Sequence, residues 1–163
     1  MKPPSKSSST AEASALTQVG ALTYRFKQGE PQFLLLTSRE TKRWVIPKGW
    51  PIKGKKNWAA AAQEAKEEAG VVGKSRKKPI GHFLYFKRRA AHYDLCRVEV
   101  YPLAFEKRLE VFREKGQREA KWFTLDDACE AVDEPGLAAL LRDLDMSSLR
   151  TAKRKKVVAR DPK

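Results

Sequence analysis

Three glutamates at helical spacing are the residues of this chain whose types and positions point most directly to chemistry. Glu64, Glu67 and Glu68 stand at i, i+3 and i+4, so an α-helix presents them on one face. At about 5 Å and an effective dielectric near 20, each contact between two such charges costs on the order of 3 kcal/mol. Carboxylates that packing holds together therefore need a cation, and oxygen ligands of this kind suit Mg²⁺ or Mn²⁺.

The spacing of these glutamates, taken alone, is more typical of a solvated helix face than of a metal site. The flanking sequence favours a helix that packs against the rest of the protein. Small and apolar residues recur at helical spacing on another side of the segment: Trp58, Ala61, Ala62, Ala65 and Ala69. We predict Asn57 as the N-cap of this helix and Gly70 as the glycine that ends it. A loop rich in glycine and proline, residues 47–56, leads into the helix.

The charge of the chain predicts an anionic partner. Its 163 residues include 34 lysines and arginines against 20 acidic residues, a net charge of +14. This favours phosphorylated small molecules, nucleic acid or an anionic surface, without choosing among them. The spacing of Cys96 and Cys129 fits neither a disulfide framework nor a metal site. We expect both to be thiols in a reducing compartment. No apolar run is long enough for a membrane span and no secretory signal is recognised, so we expect a cytoplasmic protein.

The rest of the chain predicts one α+β domain with two tails. Residues 1–14 are expected to be a disordered leader, 15–146 the folded domain, and 147–163 a basic tail with too little apolar content to pack. Strands are predicted at 15–26, 32–37, 43–46, 80–86, 92–105 and 118–125. Thr124 with Asp127 indicates a helix over about 126–132, and Pro135 opens a second amphipathic helix.

The register of the glutamates resembles a known motif. Counted from Gly49, glutamates occupy the sixteenth, nineteenth and twentieth places, Gly70 the twenty-second and Val71 the twenty-third. This is similar to the Nudix box, G-x5-E-x7-R-E-U-x-E-E-x-G-U with U aliphatic, and the preceding Trp-Val-Ile-Pro-Lys-Gly run also fits. The Pro-Lys-Gly entry resembles the diphosphoinositol-polyphosphate phosphohydrolase-like branch. The resemblance implies a Nudix α/β/α sandwich, in which the box helix and a C-terminal helix pack on a mixed central β-sheet.

Three box positions depart from the pattern. The seventh place holds Lys55 where the box has Glu, the fifteenth holds Gln63 where it has Arg, and the seventeenth holds Ala65 in place of a larger aliphatic residue. In the family the arginine pairs with box carboxylates and orients them. Gln63 lies one turn before Glu67, so it can hydrogen-bond to that carboxylate but supplies no charge. These departures predict weakened catalysis.

Residue roles follow from the resemblance. The box glutamates, with the Lys48 carbonyl, would ligate Mg²⁺ or Mn²⁺, and Glu67 or Glu68 would also activate water. A further catalytic glutamate from outside the box is expected among Glu114 and Glu119, and Glu99 is a weaker candidate. Basic side chains near these positions would bind substrate phosphates: Arg43, Lys48, Lys53, Lys55, Arg88 and Arg89.

Three functions remain open from the sequence. The first is a divalent-metal-dependent hydrolase of a diphosphate linkage in a nucleoside-diphosphate derivative, a dinucleoside polyphosphate or a diphosphoinositol polyphosphate. The second is a Nudix-fold module that has lost catalysis and binds a phosphorylated ligand or RNA, which the residues at 55 and 63 motivate. The third is an RNA 5′-pyrophosphohydrolase, for which the basic tail would make weak nucleic-acid contact. The oligomeric state is open.

Overall fold

A mixed eight-stranded sheet forms the centre of the protein. The computed structural model describes residues 14–150. The strands are β1 (Leu16–Lys27), β2 (Glu30–Thr37), β3 (Trp44–Val45), β4 (Lys48–Gly49), β5 (Val71–Ser75), β6 (Gly81–Arg88), β7 (Tyr93–Arg108) and β8 (Ala120–Thr124). The order β3-β2-β1-β7-β5 forms the main path, with β4 on β1, β6 on β7 and β8 on β2. β1 and β7 are parallel and the other pairs are antiparallel, as a mixed sheet requires.

Helices cover both faces of this sheet. Helix α1 (Asn57–Ala69) lies on one face, and α2 (Leu125–Ala131) and α3 (Pro135–Arg142) lie on the other. Alternate residues of β1 and β2 feed the two cores, since strand side chains point to opposite faces in turn. Val19, Ala21, Leu34 and Leu36 pack with the alanines of α1, whereas Leu22, Phe33 and Leu35 pack with Leu137 and Leu141 of α3. The predicted α/β/α sandwich is confirmed.

The observed ends of the helices confirm two predicted helix boundaries, Gly70 and Thr124, and correct a third. Gly70 ends α1 in the left-handed conformation, with φ 69°, as predicted. The Thr124 hydroxyl accepts a hydrogen bond from the Asp127 amide at the start of α2, which confirms that cap. The N-cap prediction for α1 was wrong by one residue, because Lys56 holds the cap position and Asn57 is already helical. Asn57 instead donates from its side chain to Glu99.

The C-terminal boundary also differs from the predicted one. Residues 146–150 are helical, and Leu149 is 1% exposed within the core beneath α3. The packed region therefore extends past 146, because Leu149 is buried in the same core cluster as Leu137 and Leu141. The predicted leader, apart from its last residue, and the remainder of the basic tail lie outside the described residues. Among the helices of residues 14–150, none is long and apolar enough to cross a membrane. Cys96 and Cys129 are free thiols.

Candidate active site

The glycine at the start of the box lies directly against the first box glutamate. Strand β4 pairs with β1, with Lys48 opposite Gly20 and Gly49 opposite Val19, and this pairing fixes the loop beside α1. A Cβ atom added to Gly49 would lie 2.5 Å from Cδ of Glu64 and within 2.7 Å of both carboxylate oxygens. Only glycine leaves room for the Glu64 carboxylate at this place. The loop backbone and the glutamate therefore occupy one compact site.

Glu68 is the most buried of the three box glutamates. Its residue is 8% exposed, and its carboxylate lies within hydrogen-bonding reach of Glu64. Burial raises the pKa of Glu68 to about 8, an effect that the positive charge of Arg118 opposes and the negative charge of Glu64 reinforces. Burial also raises the pKa of Glu64. The two carboxylates thus lie close enough together that a proton or another cation between them is favoured.

Glu67 is turned toward a different set of partners. The Gln63 amide nitrogen donates to Oε2 of Glu67 at 2.8 Å, and Arg113 Nη1 lies 3.4 Å from Oε1. Within the described part of the chain, no three acidic, histidine or cysteine side chains already converge on one point. The donor set nevertheless fits a hard divalent cation, because the buried carboxylate of Glu68 lies close to the half-buried carboxylate of Glu64, and Glu67 stands one turn from Glu64.

A cleft of about 690 Å³ opens beside this cluster, and its lining is mainly cationic and polar. Glu68 and Glu114 lie in its wall. Four of the six predicted substrate-binding residues line the cleft: Arg43, Lys48, Arg88 and Arg89. The other two do not. Lys53 is exposed on the loop before α1, and Lys55 donates a hydrogen bond to the Gln63 side chain, which draws it to the helix surface. A phosphate-binding role for Lys53 and Lys55 therefore stays a prediction that the lining of this cleft does not support.

The structure separates the two glutamates predicted from outside the box. Glu114 lines the cleft, accepts a hydrogen bond from Arg118 Nε at 2.9 Å, and donates its backbone amide to the Glu67 carbonyl. Glu119 is exposed and pairs with Thr37 through its backbone only, outside the cleft lining. Glu99 lies apart from both, where it accepts hydrogen bonds from Asn57, Tyr101 and Arg97. Glu114 is the member of the predicted pair that lies in the site.

Several cleft residues were not found by sequence reasoning. Arg118 has an 11% exposed side chain, lies 3.9 Å from Glu68 and also binds Glu114. Tyr85 donates to Gln18 at 2.6 Å, and its ring lies 4.9 Å from the Lys48 ammonium. The i, i+4 spacing from Glu114 is the one local signal that marks Arg118. The others come together only through the pairing of β1, β6 and β7.

The glutamate pair predicts a pH-dependent stability of the metal-free protein. The folded-state pKa of Glu68 lies near 8, above its ordinary value of 4.5. The native state therefore holds a proton that the unfolded chain has released, so this group's contribution is present at low pH and is lost as pH rises through that interval. In chelator, we expect Glu68→Gln to become more stable relative to wild type between pH 5.5 and 8.5. The gain at pH 8.5 should be at least about 1.4 kcal/mol, the equivalent of one pKa unit.

Thermal and urea unfolding at the two pH values measure this effect. Glu130→Gln changes the same functional group at an exposed position of α2 and should follow wild type at both pH values. Parallel stability profiles for wild type and Glu68→Gln would show that the proton is not held in the native state.

Comparisons with known proteins place this site in a family. The family profile described as NUDIX domain matches residues 16–144. Nudix hydrolase 21, chloroplastic, of Arabidopsis thaliana is 32% identical over 117 residues, which cover 69% of this chain and 57% of the relative. Diphosphoinositol polyphosphate phosphohydrolase 2 of Rattus norvegicus is 29% identical over 117 residues, covering 71% of this chain and 62% of the relative. The chain thus spans about three fifths of each of these two relatives.

A solved structure shows the same likeness in three dimensions. The C. elegans Ap4A hydrolase in a binary complex superposes with a TM-score of 0.61 at 25% identity, covering 85% of this chain and 99% of that one. The name of the Arabidopsis relative places that protein in the chloroplast, so a cytoplasmic location for this chain stays a prediction. The box register, the sandwich and the profile match over residues 16–144 agree, and the chain belongs to the NUDIX domain family.

Proposed function

We propose that this protein is a divalent-metal-dependent pyrophosphohydrolase. It would act on a diphosphate linkage in a nucleoside-diphosphate derivative, a dinucleoside polyphosphate or a diphosphoinositol polyphosphate. The observation that carries the proposal is the Glu64–Glu68 pair in box register, with Glu64 half-buried and Glu68 buried in the wall of a cationic cleft. Two carboxylates in contact are costly unless a cation joins them, and a cation there lies where the cleft would hold a polyphosphate.

Residues of the site would have separate roles in this proposal: metal binding, phosphate binding and proton transfer. Glu64, Glu67, Glu68 and the Lys48 carbonyl would hold Mg²⁺ or Mn²⁺, which supplies charge neutralisation and lowers the pKa of bound water. Arg43, Arg88 and Arg89 would bind the phosphates, because guanidinium groups match phosphate oxygens in geometry and charge. A box glutamate would take a proton from the attacking water as the water oxygen bonds to one phosphorus of the anhydride. The bond from that phosphorus to the bridging oxygen would break, and the bridging oxygen would leave on the other phosphate as a phosphate ester.

The protonation of the Lys48 ammonium group depends on its surroundings in the cleft. Burial lowers the pKa of its ammonium group, whereas the negative charge of Glu68 raises it. A polyphosphate bound in the cleft would add further negative charge and favour the protonated lysine. Lys48 would then bind substrate most strongly as the anionic substrate enters.

A substrate panel tests the proposal. Ap4A, a diphosphoinositol polyphosphate and ADP-ribose are incubated with wild type and Mg²⁺ or Mn²⁺, and phosphate or nucleotide release is measured. Release that depends on the metal and stops in excess chelator is expected. Tight binding without hydrolysis across the panel would favour the binding module, especially if Gln63→Arg then produced activity from none.

Removing the basic tail tests the RNA 5′-pyrophosphohydrolase function. Because Leu149 is buried in the core, the deletion should remove residues 151–163 and leave 147–150 in place. RNA pyrophosphohydrolysis through the basic tail predicts weaker RNA binding and a smaller salt dependence in this variant, with hydrolysis of small substrates unchanged.

The contrast between the two outer glutamates gives a direct prediction. Glu114→Gln should lower turnover by about 10-fold, because its carboxylate holds Arg118 beside Glu68 and partners of this kind typically matter by that factor or more. Glu119→Gln should leave turnover within about twofold of wild type, the range expected of surface changes of up to about 0.5 kcal/mol. Steady-state hydrolysis of the best panel substrate measures both variants. The reverse order would assign the outer role to Glu119.

A further inference from the structure

Two of the residues that depart from the box pattern, Lys55 and Gln63, are in direct contact with each other. The Lys55 ammonium donates to Oε1 of Gln63, and Nε2 of Gln63 donates to Oε2 of Glu67 at 2.8 Å. A chain of hydrogen bonds therefore runs from a cation on the loop to a box carboxylate. Each residue occupies one of the places that the pattern singles out, the seventh, the fifteenth and the nineteenth.

We propose that Lys55 and Gln63 form a positioning relay that holds Glu67 for cation binding, with the positive charge moved from place fifteen to place seven. The inference rests on the proposed function in one respect, that Glu67 binds a divalent cation. Neither Lys55 nor Gln63 touches the reacting atoms in this proposal. They act through the carboxylate.

The chemistry of the two side chains makes the relay directional. A lysine ammonium is a donor only, so it fixes the carbonyl end of the Gln63 amide toward itself. The NH₂ end must then face Glu67, which is an acceptor when ionised. Without the lysine, the amide is free to turn its oxygen toward the helix surface and leave Glu67 without that donor. The ammonium also polarises the amide, which strengthens the hydrogen bond that the amide donates.

The backbone brings the members of the relay together. The loop turns at Gly54, where φ is 83°, and the Lys55 amide donates to the Ile52 carbonyl at 3.0 Å. This turn places Lys55 over the first half of α1, beside Gln63. Gln63 and Glu67 are four residues apart on the same helix face. The contact therefore depends on the loop conformation and on helix geometry together.

A second cation approaches Glu67 from the opposite side. Arg113 Nη1 lies 3.4 Å from Oε1 of Glu67, but the Arg113 side chain is 75% exposed. Exposed pairs of this kind contribute little and are screened by salt. The Gln63 amide reaches the other oxygen of the carboxylate at 2.8 Å through a partly buried hydrogen bond, which is the shorter of the two contacts with Glu67.

Mn²⁺ affinity measured without substrate tests the relay independently of turnover. We expect Lys55→Met to weaken Mn²⁺ binding by about 10-fold, the lower end of the range for residues that orient metal ligands. Lys55→Arg, which keeps a cationic donor, should bind within about threefold of wild type by the same reasoning. Lys56→Met is the matched control, because it removes the neighbouring lysine, whose side chain makes no cap hydrogen bond. Calorimetric titration and the Mn²⁺ electron paramagnetic resonance signal give the affinities.

A double substitution that restores the box pattern provides the decisive comparison. Lys55→Glu and Gln63→Arg should each weaken Mn²⁺ binding, the first by losing the donor that sets the amide and the second by placing two cations together. The combined variant should recover affinity to within about threefold of wild type, since a new pair at places seven and fifteen replaces the relay. Thermal unfolding of every variant shows that the fold is retained.

The relay is overturned by either of two results: equal Mn²⁺ affinity of Lys55→Met, Lys56→Met and wild type, or a double variant that binds no better than the weaker single one. Failure of wild type to bind Mn²⁺ also overturns it. If wild type binds Mn²⁺ as expected but hydrolyses nothing in the panel, the proposed function fails while the relay stands.

Discussion

Glu68→Gln is expected to lower turnover by about 1,000-fold in Mg²⁺ while the protein remains folded. The amide keeps the size of the side chain but removes a negative oxygen ligand and the group that would accept the proton of water. General-base and ligand roles of this kind are worth about 100- to 10,000-fold. Among the three box glutamates, Glu68 is the strongest candidate, because it is the most buried and is the one of the three that lines the cleft. Burial means that water cannot replace the lost ligand cheaply.

Steady-state hydrolysis of the best panel substrate, over a range of Mg²⁺ concentrations, measures the loss. A ligand role predicts that the Mg²⁺ concentration for half-maximal rate also rises, whereas a pure base role leaves it unchanged. Glu130→Gln, on the exposed surface of α2, should retain wild-type turnover. Turnover of Glu68→Gln within twofold of wild type, or undiminished hydrolysis by wild type in excess chelator, contradicts the assignment.

The sequence predicted the glutamate helix well because its signals are local. Spacing along the chain sets the face on which Glu64, Glu67 and Glu68 stand, and Gly70 sets the end of the helix. The different surroundings of the three were not predictable in this way. Glu68 is buried against Arg118, a residue 50 positions later whose approach depends on where the strand β8 joins β2.

The contact between Lys55 and Gln63 was likewise not predictable from spacing along the chain. Considered singly, Gln63 predicts a loss because it supplies no charge where the pattern has arginine, and Lys55 replaces an acidic residue of the pattern with a basic one. Their contact becomes visible only when the turn at Gly54 folds the loop over the helix. Loop lengths are readable from a sequence, but loop shapes are set by tertiary contacts.

The sandwich was predicted from the resemblance to the Nudix box, and the errors in its elements were small. Strands were expected at 15–26 and 92–105, but the parallel pairing of β1 with β7 follows from packing that neither strand encodes alone. Leu149 escaped prediction as a core residue because Ser148 and Arg150 flank it and the segment 147–163 as a whole is basic and poor in apolar residues. Glu114 and Glu119 were equivalent by sequence, and the path of the loop alone placed Glu114 in the cleft.

Gly49→Ala is expected to lower turnover by about 100-fold with little loss of stability. The added methyl group would lie 2.5 Å from Cδ of Glu64, so the carboxylate must move. The atom in the way is the far end of a flexible side chain, which can rotate aside at small cost to folding. Displacement of a reacting group by about 1 Å, however, can cost on the order of 100-fold in rate.

Shortening the obstructing side chain distinguishes this explanation from general damage to the loop. Glu64→Asp withdraws the carboxylate by one methylene and makes room for the methyl group at position 49. We therefore expect Gly49→Ala combined with Glu64→Asp to be faster than the product of the two single effects predicts, with a coupling of about 0.5–3 kcal/mol, as residues in contact show. Turnover and thermal unfolding are measured on all four proteins. If the two losses simply add, Gly49 acts on the loop alone, and the close approach of its backbone to Glu64 has no part in holding the site.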